Sequence, residues 1–223
     1  MSSNPYDPAQ PGQQPQQPYG QQQPAQQQPY GQQHQPAVQY LPRFFVKQRI
    51  TMMVNRYEIR MANPDGSEGQ IIGVAQQKRM AFKEEVTFYG DEARTKPVFS
   101  FKARSVMDLN AGYDIRDAAG TPIGYFQKDF KASLLRSSFH LSAPGIEAYG
   151  QERNHTVAIV RRFIDFPMAF HFDFTDKNSN QVVMSSERKA SLRDRYTVNV
   201  PDQRLDYRVA AAVAVALDAL MQR

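Results

Sequence analysis

The sequence predicts a mainly β fold, a closed antiparallel barrel of about twelve strands around a buried C-terminal α-helix. Three observations point there. From Leu41 onward, apolar and polar side chains alternate with period two. Clusters of Gly, Pro, Asn and Asp interrupt that alternation at short intervals. The chain then runs into a segment, residues 209–217, that has no polar stripe at all.

Residues 1–40 stand apart from this pattern. They hold 15 Gln and 8 Pro, one acidic side chain, Asp7, and no Lys or Arg, with Pro18-Tyr19-Gly20 echoed at Pro29-Tyr30-Gly31. Such a composition cannot bury enough apolar surface to offset chain entropy, and its prolines remove backbone donors. A disordered Pro/Gln-rich tail is predicted, serving either as a solubilising leader or as a low-complexity segment that recruits protein partners. Residues 41–223 carry all 14 Phe, 7 of the 11 Tyr and the whole basic excess of the chain. A chain of that size buries roughly 70% of its unfolded surface as one domain. With no Cys, disulfides, thiolate metal sites and Cys nucleophiles are excluded. No basic, apolar leader opens the sequence, so export by a conventional secretory signal is not expected. The longest apolar run has nine residues, where a spanning helix needs roughly 20. The expected location is cytoplasmic, at most peripheral to a membrane.

Candidate strands lie near 44–50, 55–62, 70–76, 79–89, 97–104, 112–118, 122–128, 133–141, 145–151, 155–163, 169–176, 181–189 and 194–200. Tyr57, Ile59 and Met61 alternate with Arg56, Glu58 and Arg60, which puts apolar side chains on one face of a strand and charges on the other. Phe170, Phe172 and Phe174 alternate with His171, Asp173 and Thr175 in the same way, and Tyr196, Val198 and Val200 repeat the pattern. Turn signals fall at Asn63-Pro64-Asp65-Gly66, Tyr89-Gly90-Asp91, Ala119-Gly120-Thr121-Pro122, Ala143-Pro144-Gly145 and Asp176-Lys177-Asn178. About twelve strands with no helix between them are too many for a flat open sheet, which leaves a sandwich or a closed barrel.

The terminal segment decides between the two. Asp202 or Asp206 is placed to cap a helix running from about 206 to 221. Apolar on every side, that helix must be buried on every side. Five Ala residues between 209 and 217 keep it thin. A barrel of about twelve strands has a lumen too wide for side chains alone to fill, and the helix fills it.

In this order the features resemble the LURP-one-related family of the tubby C-terminal-like superfamily. The residues that carry the likeness are Ser100-Phe101-Lys102-Ala103, the strand–turn–strand from Tyr113 through Asp117 and Gly120 to Gly124, Arg193-Asp194-Arg195-Tyr196-Thr197-Val198-Asn199-Val200, and Leu205-Asp206-Tyr207-Arg208 with the apolar helix after it. The resemblance covers nearly all of 44–223. It implies a twelve-stranded barrel around a central C-terminal helix, and binding roles, which for tubby proteins are often at phosphoinositide-bearing membranes. The superfamily is also similar to the phospholipid scramblases. No acylation Cys or recognisable calcium loop stands in this sequence.

No catalytic constellation is legible. His34 lies in the tail, His140, His155 and His171 sit on separate strands, and no HExxH pair, Walker loop, GxGxxG or GxSxG is present. An enzyme, a cofactor and a metal site are therefore not expected. Basic clusters are the one chemical feature above background: Lys78-Arg79 with Lys83, Lys128 with Lys131, Arg161-Arg162, and Arg188-Lys189 with Arg193 and Arg195. From these, Lys78, Arg79, Lys128, Lys131, Arg161, Arg162, Arg188 and Lys189 form a candidate anion- or lipid-binding set. Arg outnumbers Lys, and its planar fork suits phosphate. Ordinary outward strand charge, offset by Glu and Asp, accounts for the same residues without any ligand. The functional expectation is a non-catalytic binding module that docks anionic phospholipid or phosphoinositide surfaces or a small ligand. A scramblase-like membrane protein is the alternative. Nucleic acid is not favoured, because the aromatics fall on core positions rather than on an exposed stacking platform.

Overall fold

A computed structural model describes residues 37–50, 54–78, 85–104, 112–129, 138–153, 171–188 and 195–221. Twelve strands and one helix run through them: β1 (Arg43–Ile50), β2 (Val54–Ala62), β3 (Glu68–Lys78), β4 (Val86–Tyr89), β5 (Pro97–Ala103), β6 (Tyr113–Asp117), β7 (Pro122–Asp129), β8 (Ser138–Ala143), β9 (Ile146–Glu152), β10 (His171–Asp176), β11 (Val182–Arg188), β12 (Arg195–Asn199) and α1 (Tyr207–Met221). Every strand pairs antiparallel with its neighbour in sequence, and β1 pairs with β12 through Arg43↔Asn199 to Lys47↔Arg195, closing the barrel. The predicted fold class is the one observed. Of the thirteen predicted runs, the one near 155–163 lies outside the described residues, as do the first parts of those near 79–89 and 133–141.

Because the chain is a meander, all connections after even-numbered strands fall at one end of the barrel. The five predicted turns are all there. Asp side chains fix four of them by accepting backbone N–H bonds: Asp65 from Ser67, Asp91 from Thr95 and Lys96, Asp117 from Ala119 and Thr121, and Asp176 from Asn178 and Ser179. Gly66, Gly120 and Gly145 take φ of 79°, 83° and 71°, where a Cβ is strained.

After β12 the chain turns at this same end and α1 begins. Asp206 is the N-cap: Val209 and Ala210 donate to its carbonyl oxygen, and its Oδ1 accepts the Arg208 N–H at 2.9 Å. Of the two predicted caps, this is the one used. Asp202 instead holds Arg204 in the preceding turn. We call this the capped end, and the opposite one the far end.

Residues 209–217 are 0–1% exposed, and α1 touches β1, β5, β6, β7 and β12. The strands present alternate side chains to it: Phe44 and Val46, Tyr57 and Ile59, Phe99 and Phe101, Phe172 and Phe174, Tyr196 and Val198 are all buried. Close approach to β7 depends on Gly124, where a Cβ would stand 3.0 Å from Val209. The lumen left around the thin helix is filled by rings, with Phe88 stacked on Phe99 at 4.5 Å and Tyr113 on Phe126 at 4.8 Å. Burying each large apolar side chain contributes roughly 1.5–3 kcal/mol. Ahead of β1, Gln39 donates its N–H to Asp206 Oδ2 at 2.9 Å and accepts from Tyr207 N–H, while the Tyr40 hydroxyl reaches Val200 O at 3.0 Å. The described chain is thus stitched to the start of α1 before the barrel begins.

Candidate functional site

Three of the eight predicted basic residues are described, and all three lie at the far end: Lys78 closes β3, Lys128 stands one residue before the end of β7, and Arg188 closes β11. Register fixes where two of them project. Lys128 pairs with Phe139 and Arg188 with Tyr196, both core residues, so Lys128 and Arg188 line the lumen side of the far rim. The Arg188 guanidinium carbon lies 5.9 Å from the Tyr196 ring centroid, within cation–π range. Arg79, Lys131, Arg161, Arg162 and Lys189 lie outside the described residues.

Inside this rim the last turns of α1 meet a polar layer. Asp218 is fully buried and accepts hydrogen bonds from the hydroxyls of Tyr57, at 3.3 Å, and Tyr196. Gln48 donates to the Tyr57 oxygen at 3.1 Å. A carboxylate near a helix C-terminus opposes the macrodipole, and phenol donors offset that cost. At the capped end the arrangement is mirrored by a true ion pair. Arg208, 5% exposed, donates from Nε at 2.9 Å and from Nη2 at 2.7 Å to the Asp206 carboxylate. That pairing holds the guanidinium above its ordinary value, and burial pushes the Tyr207 phenol up as well.

The densest charge on the described surface is elsewhere, on the outer wall of β12, β1 and β2. Glu58, 1% exposed, lies beneath three guanidinium groups: Arg60 Nη2 at 2.9 Å, and Arg49 Nε and Arg56 Nε at 3.4 Å. Glu68 collects Lys47, Arg195 at 3.2 Å and Arg60 at 3.9 Å. Arg195 also lies 4.4 Å over the Phe45 ring. The sequence grouping of Arg195 with Arg188 is therefore corrected. The two residues flank opposite sides of the sheet, because Arg188 pairs with inward Tyr196 and Arg195 is its outward neighbour. The wall itself is not legible in the sequence for a related reason. Arg56, Glu58 and Arg60 alternate visibly along β2, but Lys47, Arg49 and Glu68 come to them only through cross-strand register.

Among the described residues, no group of three or more His, Asp and Glu is placed to hold a metal ion. His140 Nε2 lies 2.9 Å from Glu147 on the outer surface, and His171 opens β10. Also among the described residues, no helix is long and apolar enough to cross a membrane. A closed twelve-strand antiparallel barrel filled by its C-terminal helix is the class that these observations define. The sequence model of the LURP-one-related family matches residues 72–218, and the chain belongs to that family. A search of curated proteins finds no match.

Proposed function

We propose that this protein is a non-catalytic binding module whose far end docks on anionic phospholipid, including phosphoinositide headgroups, and whose Pro/Gln-rich sequence ahead of Gln39 recruits protein partners. One observation carries the reading: odd-numbered strands end and even-numbered strands begin at the far end, and four of the six sequence segments between them combine basic with large apolar residues. Residues 79–84 read RMAFKE, 130–137 FKASLLRS, 154–170 NHTVAIVRRFIDFPMAF and 189–194 KASLRD. They carry Arg79, Lys131, Arg161, Arg162 and Lys189 of the predicted set, while Lys78, Lys128 and Arg188 stand on the adjoining strand ends. Basic side chains gain about 1 kcal/mol each near an anionic leaflet, and apolar neighbours add burial at the interface. A cytoplasmic, membrane-peripheral location follows from this reading.

The scramblase alternative requires residues 209–217 to enter a bilayer, yet those residues are sheathed by the barrel, and exposing them would mean opening it. Flotation of the full chain with vesicles tests the proposal. Binding to phosphatidylcholine vesicles containing phosphatidylserine or phosphatidylinositol bisphosphate, weakened by salt and absent on phosphatidylcholine alone, is the expected result. Equal binding to both, or binding to neither, would remove the membrane reading.

A further inference from the structure

Arg49 and Arg56 stand directly opposite one another on β1 and β2. Both face outward, because the alternate residues Gln48 and Tyr57 are buried. Like charges so placed repel. One oxygen holds them together: Glu58 Oε1 lies 3.4 Å from the Nε of each. Around the pair, and among the described residues, the cations Lys47, Arg49, Arg56, Arg60 and Arg195 share three carboxylates, Glu58, Glu68 and Glu92. This part of the wall therefore keeps an excess of positive charge.

The donors left over gather at Arg49 and Arg56. Arg60 is fully engaged, with Nε and Nη2 on Glu58 Oε2 at 3.2 and 2.9 Å and Nη1 on the Gly69 carbonyl oxygen at 3.4 Å. Lys47 and Arg195 are both drawn to Glu68. Arg56 gives Nη2 to Glu92 Oε2 at 2.5 Å, while its Nε is buried without a hydrogen bond. The Arg49 side chain is 63% exposed, and its approach to Glu58 is its one contact with a carboxylate. Among the described residues, neither Nη of Arg49 has a partner.

Two guanidinium forks side by side with N–H groups to spare select the shape of an anion. A carboxylate has two oxygens and matches a single fork, whereas a phosphoryl group has three and accepts from both at once. Its second negative charge also answers the excess on the wall. From this juxtaposition we infer that the Arg49–Arg56 pair binds a phosphate monoester dianion, with Arg49 clasping two of its oxygens and Arg56 Nη1 reaching the third. The site stands on the outer wall and draws on neither Lys128 nor Arg188, so it is independent of the docking proposed for the far rim.

Melting of the full chain in glycerol phosphate, against sodium chloride of equal ionic strength, tests it. At a dissociation constant of about 1 mM, an addition of about 20 mM should raise Tm by about 3 °C, and sodium acetate should not. Arg49→Gln should weaken binding about tenfold and lose most of that rise, while in chloride it melts no lower than the parent because the opposed charge is gone. Lys102→Gln, which removes a charge from β5, and Lys128→Ala, at the far rim, should both keep the rise. A rise with glycerol phosphate assigns a soluble ester. No such rise, with flotation on phosphatidylcholine vesicles containing phosphatidylinositol phosphate weakened in Arg49→Gln and not in Lys102→Gln, assigns a lipid headgroup. An equal rise in the parent and Arg49→Gln, or an equal rise with acetate, would overturn the inference. So would no rise in the parent together with unchanged flotation of Arg49→Gln.

Discussion

The two ends of the barrel are built by different rules. At the capped end the connections are short, Asp-fixed and Gly-turned, and among the described residues the carboxyls held below their ordinary range, Asp65, Asp91, Glu92, Asp176 and Asp202, all stand there. At the far end the strand tips carry Lys78, Lys128 and Arg188, and four of the six connecting segments, 79–84, 130–137, 154–170 and 189–194, are basic and apolar in sequence. A meander makes that division possible, because each strand pair commits one turn to one end only. One end is then free to specialise in holding register while the other is the one proposed to dock on anionic lipid.

The helix joins both ends, so the largest expected effect comes from its middle. Val213→Asp should bury an unpaired carboxylate against the barrel wall and cost on the order of 4 kcal/mol. Urea unfolding measures this, and a parent-like midpoint would mean that the helix does not fill the lumen. Asp206→Ala removes the N-cap and leaves the Arg208 guanidinium buried without its carboxylate. A loss of about 3 kcal/mol is expected, with Asp206→Asn losing less because the capping oxygen survives. At the other end Asp218→Asn should cost only about 1 kcal/mol, since an amide oxygen still accepts from the tyrosines and the unfavourable charge at the helix C-terminus is gone. Equal losses at Asp206 and Asp218 would erase the distinction between ion-paired and phenol-held termini.

Binding should separate the ends in the same way. Lys128→Ala and Arg188→Ala should each lower affinity for phosphatidylserine vesicles about fivefold, whereas Arg204→Ala at the capped end should leave it unchanged; co-sedimentation reads the difference. The smallest effect is on pH. The Asp176 carboxyl is depressed, first by the Ser179 backbone N–H and then by the Asn178 N–H, and the Thr95 hydroxyl does the same for Asp91. Groups with depressed folded values give stability that is present above the unfolded value, about 3.9, and is lost as pH falls through the folded one. Melting temperature should therefore decline with acid below about pH 4, and Asp176→Asn should flatten that decline. An unaltered slope would show that this turn contributes nothing to acid sensitivity.

The capped end was legible in the sequence and the meeting of charges across strands was not, for physical reasons. Asn63-Pro64-Asp65-Gly66 or Ala143-Pro144-Gly145 encode a turn within four residues, because side chain and φ requirement are both local. The period-two runs through Tyr57, Phe172 and Tyr196 gave the inward face, and the all-apolar 209–217 gave the closed barrel. Which charges meet is a matter of register between strands. Glu58 beneath Arg49, Arg56 and Arg60, Glu68 between Lys47 and Arg195, and the separation of Arg188 from Arg195 all depend on it.

That the first and last strands are partners, and that the plug follows the last strand, imposes an order on biosynthesis. Hairpins from β2 to β11 draw on neighbours in sequence and can form as the polypeptide emerges. The seam between Arg43 and Asn199, and the dry interior itself, must wait until α1 has left the ribosome. Until that moment the nascent sheet holds its phenylalanines against an empty centre, so chaperone demand should be highest between the emergence of β12 and that of α1.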